Sequence, residues 1–176
     1  MSDQTNADVQ GGLTPAQKRG NLLRWVFDGS EERLAEFCRV IREEIPPGTR
    51  VILRGSAVTG RRWRDGAPFD SDGPGTSDLD LTLVGDAVIG LFNATGFFVP
   101  GVHSRPLSEE DPDVAPALIP LRETLMVMTG RPVNIQASRD LVFLQEATVP
   151  RVVERVARES GMSQWGSQPG GGRSGT

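Results

Sequence analysis

Two aspartates, Asp78 and Asp80, stand two residues apart in the alternating segment DLDLTLV at 78–84. Side chains at i and i+2 of a β-strand lie on the same face, so the pattern predicts both carboxylates, together with Thr82, on the exposed face of a half-buried strand. Two adjacent carboxylates repel each other unless a cation lies between them. Mg²⁺ and Mn²⁺ take such oxygen ligands and usually carry substrate phosphates as well. The pair therefore predicts a metal site for phosphate chemistry.

A second feature, Gly55-Ser56, follows directly on the apolar run RVILR at 50–54. A glycine lets another group approach the backbone closely. The Ser56 hydroxyl and the backbone N–H groups at the start of a helix can then bond phosphate oxygens. Together with a metal site, this turn predicts phosphoryl or nucleotidyl transfer, in which the ion and the positioning of the substrate do most of the catalysis.

Arginines surround the Gly-Ser turn, and Trp63 lies among them; they are Arg54, Arg61, Arg62 and Arg64. One interpretation is a basic, stacking lip for a triphosphate or a nucleic acid. The other is a solvated arginine-rich loop, because nearly all basic residues of this chain are arginines and Lys18 is the single lysine. The sequence leaves both interpretations open.

The segments Leu53-Arg54-Gly55-Ser56 and Ser77-Asp78-Leu79-Asp80-Leu81 together resemble the motif of the polymerase-beta-like nucleotidyltransferase superfamily. The resemblance covers roughly residues 50–140 and is strongest to the small stand-alone members, including the antitoxin-like minimal nucleotidyltransferases. It implies an α/β (α+β) fold with a mixed sheet flanked by helices. It also implies a nucleoside triphosphate substrate, ATP first, and Mg²⁺ or Mn²⁺ on Asp78 and Asp80. The nucleotide-binding positions would be Gly55, Ser56, Arg54, Ser77, Arg61 and Arg62.

The chain departs from that motif in two respects. Between Gly55 and Asp78 lie 22 residues, about twice the usual number, which predicts an extended loop over the site. The family often has a third carboxylate on a neighbouring strand, whereas the strand predicted at 132–138 presents Asn134 and Gln136. An amide oxygen can coordinate Mg²⁺ but cannot take a proton, so Asn134 is predicted as a weak third metal ligand. Other candidates for the missing acid are Asp70, Asp72 and Asp140.

Local signals predict the elements that position these residues. Thr14-Pro15 is typical of a helix start, and a second helix is predicted from Ser30 to the stop at Pro46-Pro47-Gly48. Periodicity predicts further elements in the rest of the chain: a short helix and a strand within 86–99, a polar loop over 100–114, a helix over 115–129, the strand at 132–138 and helix over 139–159. The predicted organisation is a flexible arm at 1–13, one domain at 14–159 and a disordered Gly/Ser-rich tail at 160–176.

Composition excludes several classes of protein. The net charge of −4 argues against a broad surface for long nucleic acids. A single cysteine, Cys38, excludes an internal disulfide and a multi-cysteine metal site, and its helical spacing predicts a core residue. The single histidine, His103, is expected at the surface rather than as a catalytic base. No apolar run approaches the ~20 residues of a membrane span, and the polar start is unlike a secretory signal, so we expect a cytoplasmic protein.

Three functions remain open at this point. The first is a Mg²⁺-dependent nucleotidyltransferase that moves NMP from an NTP to a hydroxyl acceptor and releases pyrophosphate. Its acceptor could be a protein, a small molecule or, less favoured by the charge, an RNA end. The second is a catalytically degenerate nucleotidyltransferase fold that binds nucleotide without turnover. The third is an antitoxin-like module that acts by contact with a protein partner, for which Trp165 is a possible docking residue.

Overall fold

The computed structural model describes residues 12–140. Residues 1–11 of the arm predicted at 1–13, residues 141–159 of the helix predicted at 139–159, the tail and Trp165 lie outside these residues. The described helices are α1 (Pro15–Val26), α2 (Glu31–Glu44), α3 (Ser56–Thr59), α4 (Asp86–Ile89) and α5 (Ile119–Thr129). The strands are β1 (Arg50–Arg54), β2 (Leu79–Val84), β3 (Phe97–Val99), β4 (His103–Ser104) and β5 (Val133–Ser138). This is the α+β fold that the sequence predicted.

The first two helices begin where the sequence predicted. The Thr14 hydroxyl accepts a hydrogen bond from the Gln17 N–H, and the Gln17 side chain accepts one from the Thr14 N–H, which forms a capping box. At α2 the Ser30 hydroxyl accepts from the Arg33 N–H, with two glutamates in the first turn. Both helices therefore start at residues whose side chains satisfy free backbone N–H groups.

One mixed sheet carries the candidate site. Its strand order is β1-β2-β5-β4-β3. β1 pairs antiparallel with β2, and β2 pairs parallel with β5. In this register Arg54 lies opposite Asp80, and Asp80 lies opposite Asn134. The strands thus bring together three residues that are far apart in sequence.

The main hydrophobic core lies on one face of the sheet. Leucines of β2 and apolar residues of β5 alternate onto this face and pack against the helices; fully buried members include Leu22, Leu34, Phe37, Leu79, Leu81, Leu83, Val133 and Ile135. Cys38 belongs to this core, as predicted, and its side chain is fully buried. Burial raises the pKa of its thiol to about 11, so the reactive thiolate is scarce at neutral pH.

The opposite face of the sheet corrects one prediction. Asp78 is exposed and Asp80 half-buried, but Thr82, predicted on the same exposed face, is completely buried. On β5, Gln136 and Ser138 are likewise buried rather than solvated. Alternation predicts which side chains share a face, but not how far that face is covered. The open part of this face is therefore restricted to the end of the sheet that carries Asp78, Asp80 and Asn134.

The structure also revises several element boundaries. β2 begins at Leu79, so Asp78 precedes the strand. The segment 100–114, predicted as a polar loop, contains β4 and one 3₁₀ turn, and α5 begins at Ile119 after a second 3₁₀ turn. Arg139 and Asp140 are not helical. Among residues 12–140, no helix has the length and apolar character that a membrane span requires.

Candidate functional site

The Gly55 backbone lies directly against the Asp80 carboxylate. Gly55 has φ +75°, and an added Cβ would stand 2.4 Å from Asp80 Oδ2. Such a φ is readily adopted only by glycine, and 2.4 Å is far below van der Waals contact. The antiparallel pairing of Arg54 with Asp80 produces this approach. Ser56, predicted beside it, is half-buried at the first position of α3, and no hydrogen bond holds its hydroxyl within residues 12–140.

Both predicted metal-binding carboxylates face one amide. Asn134 Nδ2 lies 3.1 Å from Asp78 Oδ2 and 3.1 Å from Asp80 Oδ1. The two carboxylates thus flank a single nitrogen atom. The parallel pairing of β2 and β5 places Asn134 opposite Asp80 and so determines this arrangement. The structure brings together Asp78, Asp80 and Asn134 as the sequence proposed. In this arrangement, however, Asn134 donates hydrogen bonds to the acids.

The electrostatics of the pair favour a cation. Burial raises the pKa of Asp80, and the nearby Asp78 charge raises it further, against the opposing effects of the Asn134 hydrogen bond and the Arg54 charge. No group of three or more His, Cys, Asp or Glu side chains suited to a metal occurs within the described residues. The two carboxylates nevertheless fit a divalent cation that takes its other ligands from phosphates and water. Asn134 presents its NH₂ group to the acids, so it could join them as a ligand only after its amide turns its oxygen toward the ion.

Asp70, Asp72 and Asp140 do not supply the third acid. Asp70 is paired with Arg131, and Asp72 with Arg62. Asp140 follows the end of β5 at Ser138, six residues beyond Asn134, which is about 20 Å along an extended strand. The third position at the carboxylate pair is therefore an amide in this structure.

The predicted nucleotide-binding residues of the long loop are held within the loop. The Arg61 guanidinium donates to the Gly66 carbonyl at 3.0 Å, and Arg62 donates to Asp72 and Ser71. Trp63 is 94% exposed. Neither guanidinium is hydrogen-bonded to the carboxylate pair, although the exposed indole still suits a stacking surface.

Ser77, also predicted to bind nucleotide, is buried, and its polar groups are bonded inside the protein. Its N–H donates to Asp70 Oδ1 at 2.9 Å, and its hydroxyl accepts from the Asp70 N–H at 2.8 Å. Its carbonyl accepts from Arg131 Nη1 at 3.0 Å. These bonds assign Ser77 a role in holding the loop.

Arg54 points along the same face of the sheet as Asp80. One of its guanidinium N–H groups donates to Gln136 Oε1, while its buried Nε has no partner within the described part of the chain. Burial lowers the pKa of Arg54, and the Asp80 charge opposes this effect. A half-buried positive charge next to the Gly-Ser turn suits an incoming anion.

Gln136 also fixes the tautomer of His103. Because Arg54 can only donate, the oxygen of the Gln136 amide faces Arg54, and its nitrogen donates to the Ser104 carbonyl at 2.6 Å. The same nitrogen lies 3.0 Å from His103 Nε2, which must therefore accept. His103 is then neutral with its proton on Nδ1. Its one accepting nitrogen is occupied by the Gln136 amide. The sequence predicted a surface histidine, which is wrong: His103 lies in β4 and is partly buried.

We predict that His103 titrates below the ordinary histidine range. Its pKa is lowered by burial and then by the Arg54 charge, so His103 stays neutral as pH falls through ~6.5. Protonation at Nε2 must break the Gln136 bond, so stability should fall on acidification below that pH. His103 is the only histidine, so its imidazole NMR signals can be followed without assignment. Gln136→Glu should reverse the shift; a wild-type pKa of 6.5 or above would contradict the arrangement.

Sequence reasoning missed Arg131 and the central role of Gln136. Arg131 stands at a turn before β5, and no local pattern distinguishes it from other surface arginines. For Gln136, the alternating strand pattern indicates only an outward polar residue. Their contacts depend on partners 61 and 82 residues away, so only the assembled sheet and loop show them.

Comparison of the chain with family models, with curated proteins and with solved structures finds no match. The site therefore has to be interpreted from its own geometry.

Proposed function

We propose that this chain is a divalent-metal-dependent nucleotidyltransferase that transfers NMP from an NTP, with ATP as the first candidate, to a hydroxyl acceptor. The observation that carries the proposal is the close approach of Gly55 to Asp80. It places a glycine turn with a free serine hydroxyl directly against a pair of carboxylates. A phosphate on the turn would then lie within reach of a cation on the acids.

Each described site residue has a separate role in the proposed reaction. Gly55 and Ser56 bind phosphate oxygens, and the half-buried Arg54 guanidinium adds positive charge beside them. Asp78 and Asp80 would hold Mg²⁺ or Mn²⁺, together with the Asn134 oxygen once that amide has turned. The ion would neutralise charge on the triphosphate. The acceptor oxygen forms a bond to the α-phosphorus while the bond to the bridging oxygen breaks, and pyrophosphate leaves.

The proton of the acceptor hydroxyl has no described carboxylate dedicated to it. Asp70 and Asp72 are paired with arginines, and His103 accepts from Gln136. The proton therefore passes to solvent in this proposal. General-base catalysis typically contributes about 10²–10⁴-fold, so turnover should be slow compared with an enzyme that has the third acid.

The net charge of −4 favours a protein or a small molecule over RNA as the acceptor, because phosphate neutralisation requires a broad basic surface. We place the reaction in the cytoplasm, where nucleoside triphosphates are available and the lone thiol has no disulfide partner in the chain.

The direct test is label transfer from each α-labelled NTP, with Mg²⁺ or Mn²⁺, in the presence and absence of cell lysate. We expect labelled product and pyrophosphate from the wild type and none from Asp78→Asn. The matched control is Asp86→Asn, which removes an exposed carboxylate paired with Arg139 at the other end of β2. Equal transfer by the wild type and Asp78→Asn would contradict the proposal.

Asn134 favours a second candidate, a nucleotide-binding or antitoxin-like partner-binding module without turnover. An amide that donates to both acids already satisfies part of their hydrogen-bonding capacity. It also adds no negative charge for a cation. This candidate predicts stabilisation by an NTP with metal but no pyrophosphate release.

Asn134→Asp distinguishes the two candidates. The third carboxylate should tighten Mn²⁺ binding by about tenfold or more, because each added ligand charge strengthens attraction to the ion. It should also lower the thermal stability of the metal-free protein through repulsion. Calorimetric titration with Mn²⁺ measures the first effect and thermal melts the second. A transferase should gain turnover, whereas a binding module should gain affinity alone; unchanged Mn²⁺ affinity would exclude Asn134 from the metal site.

A further inference from the structure

The extended loop between α3 and β2 is organised around one aspartate. Asp70 adopts the left-handed backbone region, with φ +55°. Its carboxylate accepts from the Ser77 N–H at 2.9 Å and from the Gly75 N–H at 3.1 Å, and its own N–H donates to the Ser77 hydroxyl. Asp70 thus closes the last turn of the loop onto the residue that precedes Asp78.

Arg131 fastens this turn to the rest of the fold. Its two terminal nitrogens lie 3.1 Å and 3.3 Å from the two Asp70 carboxylate oxygens. Nη1 also donates to the Ser77 carbonyl, and Nη2 donates to the carbonyl of Trp25 in α1, both at 3.0 Å. The guanidinium stacks on the Phe69 ring at 4.6 Å and is buried. One side chain therefore joins the loop, α1 and the turn before β5.

These contacts matter because Asp78 lies outside the strand and is exposed. Its chain neighbours are fixed on both sides: Ser77 by Asp70 and Arg131, and Leu79 by a hydrogen bond from its N–H to the Pro132 carbonyl at 2.9 Å. We propose that Asp70 and Arg131 are positioning residues that hold the Asp78 carboxylate against Asn134 and Asp80. The long loop then supports the metal site, and Asp70, considered from the sequence as a possible third acid, acts through its hydrogen bonds.

The charge state of Asp70 is consistent with this role. Burial alone would raise the pKa of Asp70, but the Arg131 hydrogen bonds and the Ser77 and Gly75 N–H groups together lower it. The carboxylate is therefore charged, and its bonds are formed, throughout the neutral range. A bidentate pair, in which two guanidinium nitrogens contact two carboxylate oxygens, fixes the relative orientation of Asp70 and Arg131.

The test uses Asp70→Asn and Arg131→Lys in the full chain, with Asp111→Asn as the control. Asp111 also pairs with an arginine, Arg105, at 2.7 Å, away from the carboxylate pair. Amide hydrogen exchange over 70–80 measures the order of the loop, and calorimetric Mn²⁺ titration measures the carboxylate pair. We expect both loop variants to lose protection at Ser77 and Leu79 and to bind Mn²⁺ about tenfold more weakly, while the control is unchanged.

The metal measurement rests on the proposed function, whereas the exchange measurement does not. Faster exchange with unchanged Mn²⁺ affinity would make the pair structural only and overturn the inference. Unchanged exchange in both variants would overturn it as well. If the wild type binds no Mn²⁺, the proposed function fails and the metal-positioning part of this inference fails with it. Lost protection at Ser77 and Leu79 would then support only the ordering of the turn before Asp78 by Asp70 and Arg131. Arg131→Lys keeps the positive charge, so one informative variant remains if Asp70→Asn does not fold.

Discussion

Replacing Asp80 with asparagine should make the metal-free protein more stable at pH 7 and abolish the proposed metal-dependent transfer. The pKa of Asp80 is raised, first by burial and then by the Asp78 charge. A carboxyl whose pKa is higher in the folded than in the unfolded state opposes folding when it is charged. The opposing contribution is absent well below the unfolded value of ~3.9 and reaches its full size above the folded pKa. At pH 7 the neutral asparagine removes it.

The same change removes one of the two charged ligands proposed for the metal. Transfer should fall to background, and Mn²⁺ should no longer stabilise the protein in a thermal melt. The informative comparison is the melting temperature with and without Mn²⁺ from pH 4 to pH 8. The advantage of the variant over the wild type should grow as pH rises through the folded pKa of Asp80. A variant less stable than the wild type at every pH would show that burial and the Asp78 charge do not penalise the charged form of Asp80.

Asp80 is thus expected to destabilise the metal-free fold and yet to be required for transfer. Such opposite effects are expected of a carboxylate whose charge is balanced only when a cation binds. Asp80 is held against the Gly55 backbone and beside Asp78, although a neutral side chain would suit that position better in isolation. Perturbed acids of this kind cluster at functional sites. Asp70 behaves in the opposite way, because its charge is satisfied by Arg131 and by backbone N–H groups. The difference separates a structural carboxylate from a candidate catalytic one.

The parts of the fold that the sequence predicted well are those with local signals. Thr14 and Ser30 cap their helices with their own side chains, and Pro46-Pro47-Gly48 ends α2. The alternation of β2 and β5 correctly identified the residues that share the face with Asp80. β4 was missed because it has two residues, and the pairing of His103 with Ser138 depends on tertiary contacts.

The sequence predicts the part of the candidate site that belongs to the two short motifs, the glycine turn and the aspartate pair. The spacing of Asp78 and Asp80 and the neighbouring glycine turn carry their own chemistry, and the structure brings them together. Asn134 could be placed only by assuming that its strand lies beside β2, which the parallel register confirms. The roles of Arg131 and Asp70 were beyond prediction, because both partners lie in segments without periodicity and meet across 61 residues.

Gly55→Ala, which adds a single carbon atom, should disturb both the β1–α3 turn and the candidate site. A Cβ at this position would meet Asp80 Oδ2 at 2.4 Å, at a φ of +75° that non-glycine residues rarely adopt. The backbone strain alone costs about 1–3 kcal/mol. The collision forces either the Asp80 carboxylate or the β1–α3 turn to move. We therefore expect a lower melting temperature, loss of Mn²⁺ binding and loss of transfer together.

Gly48→Ala is the control that separates backbone strain at a positive φ from the collision of the new Cβ with Asp80. Gly48 has a comparable φ of +82°, and a Cβ there meets nothing within 4 Å. It should therefore show the strain component without any effect on Mn²⁺ affinity. In the Asp80→Ala background, where the colliding carboxylate is absent, Gly55→Ala should cost no more stability than Gly48→Ala does. A double-mutant cycle of Gly55 and Asp80 measures this coupling directly. Additive effects in that cycle would show that the Gly55 backbone does not bear on the carboxylate, and the proposed phosphate-and-metal site would lose its central contact.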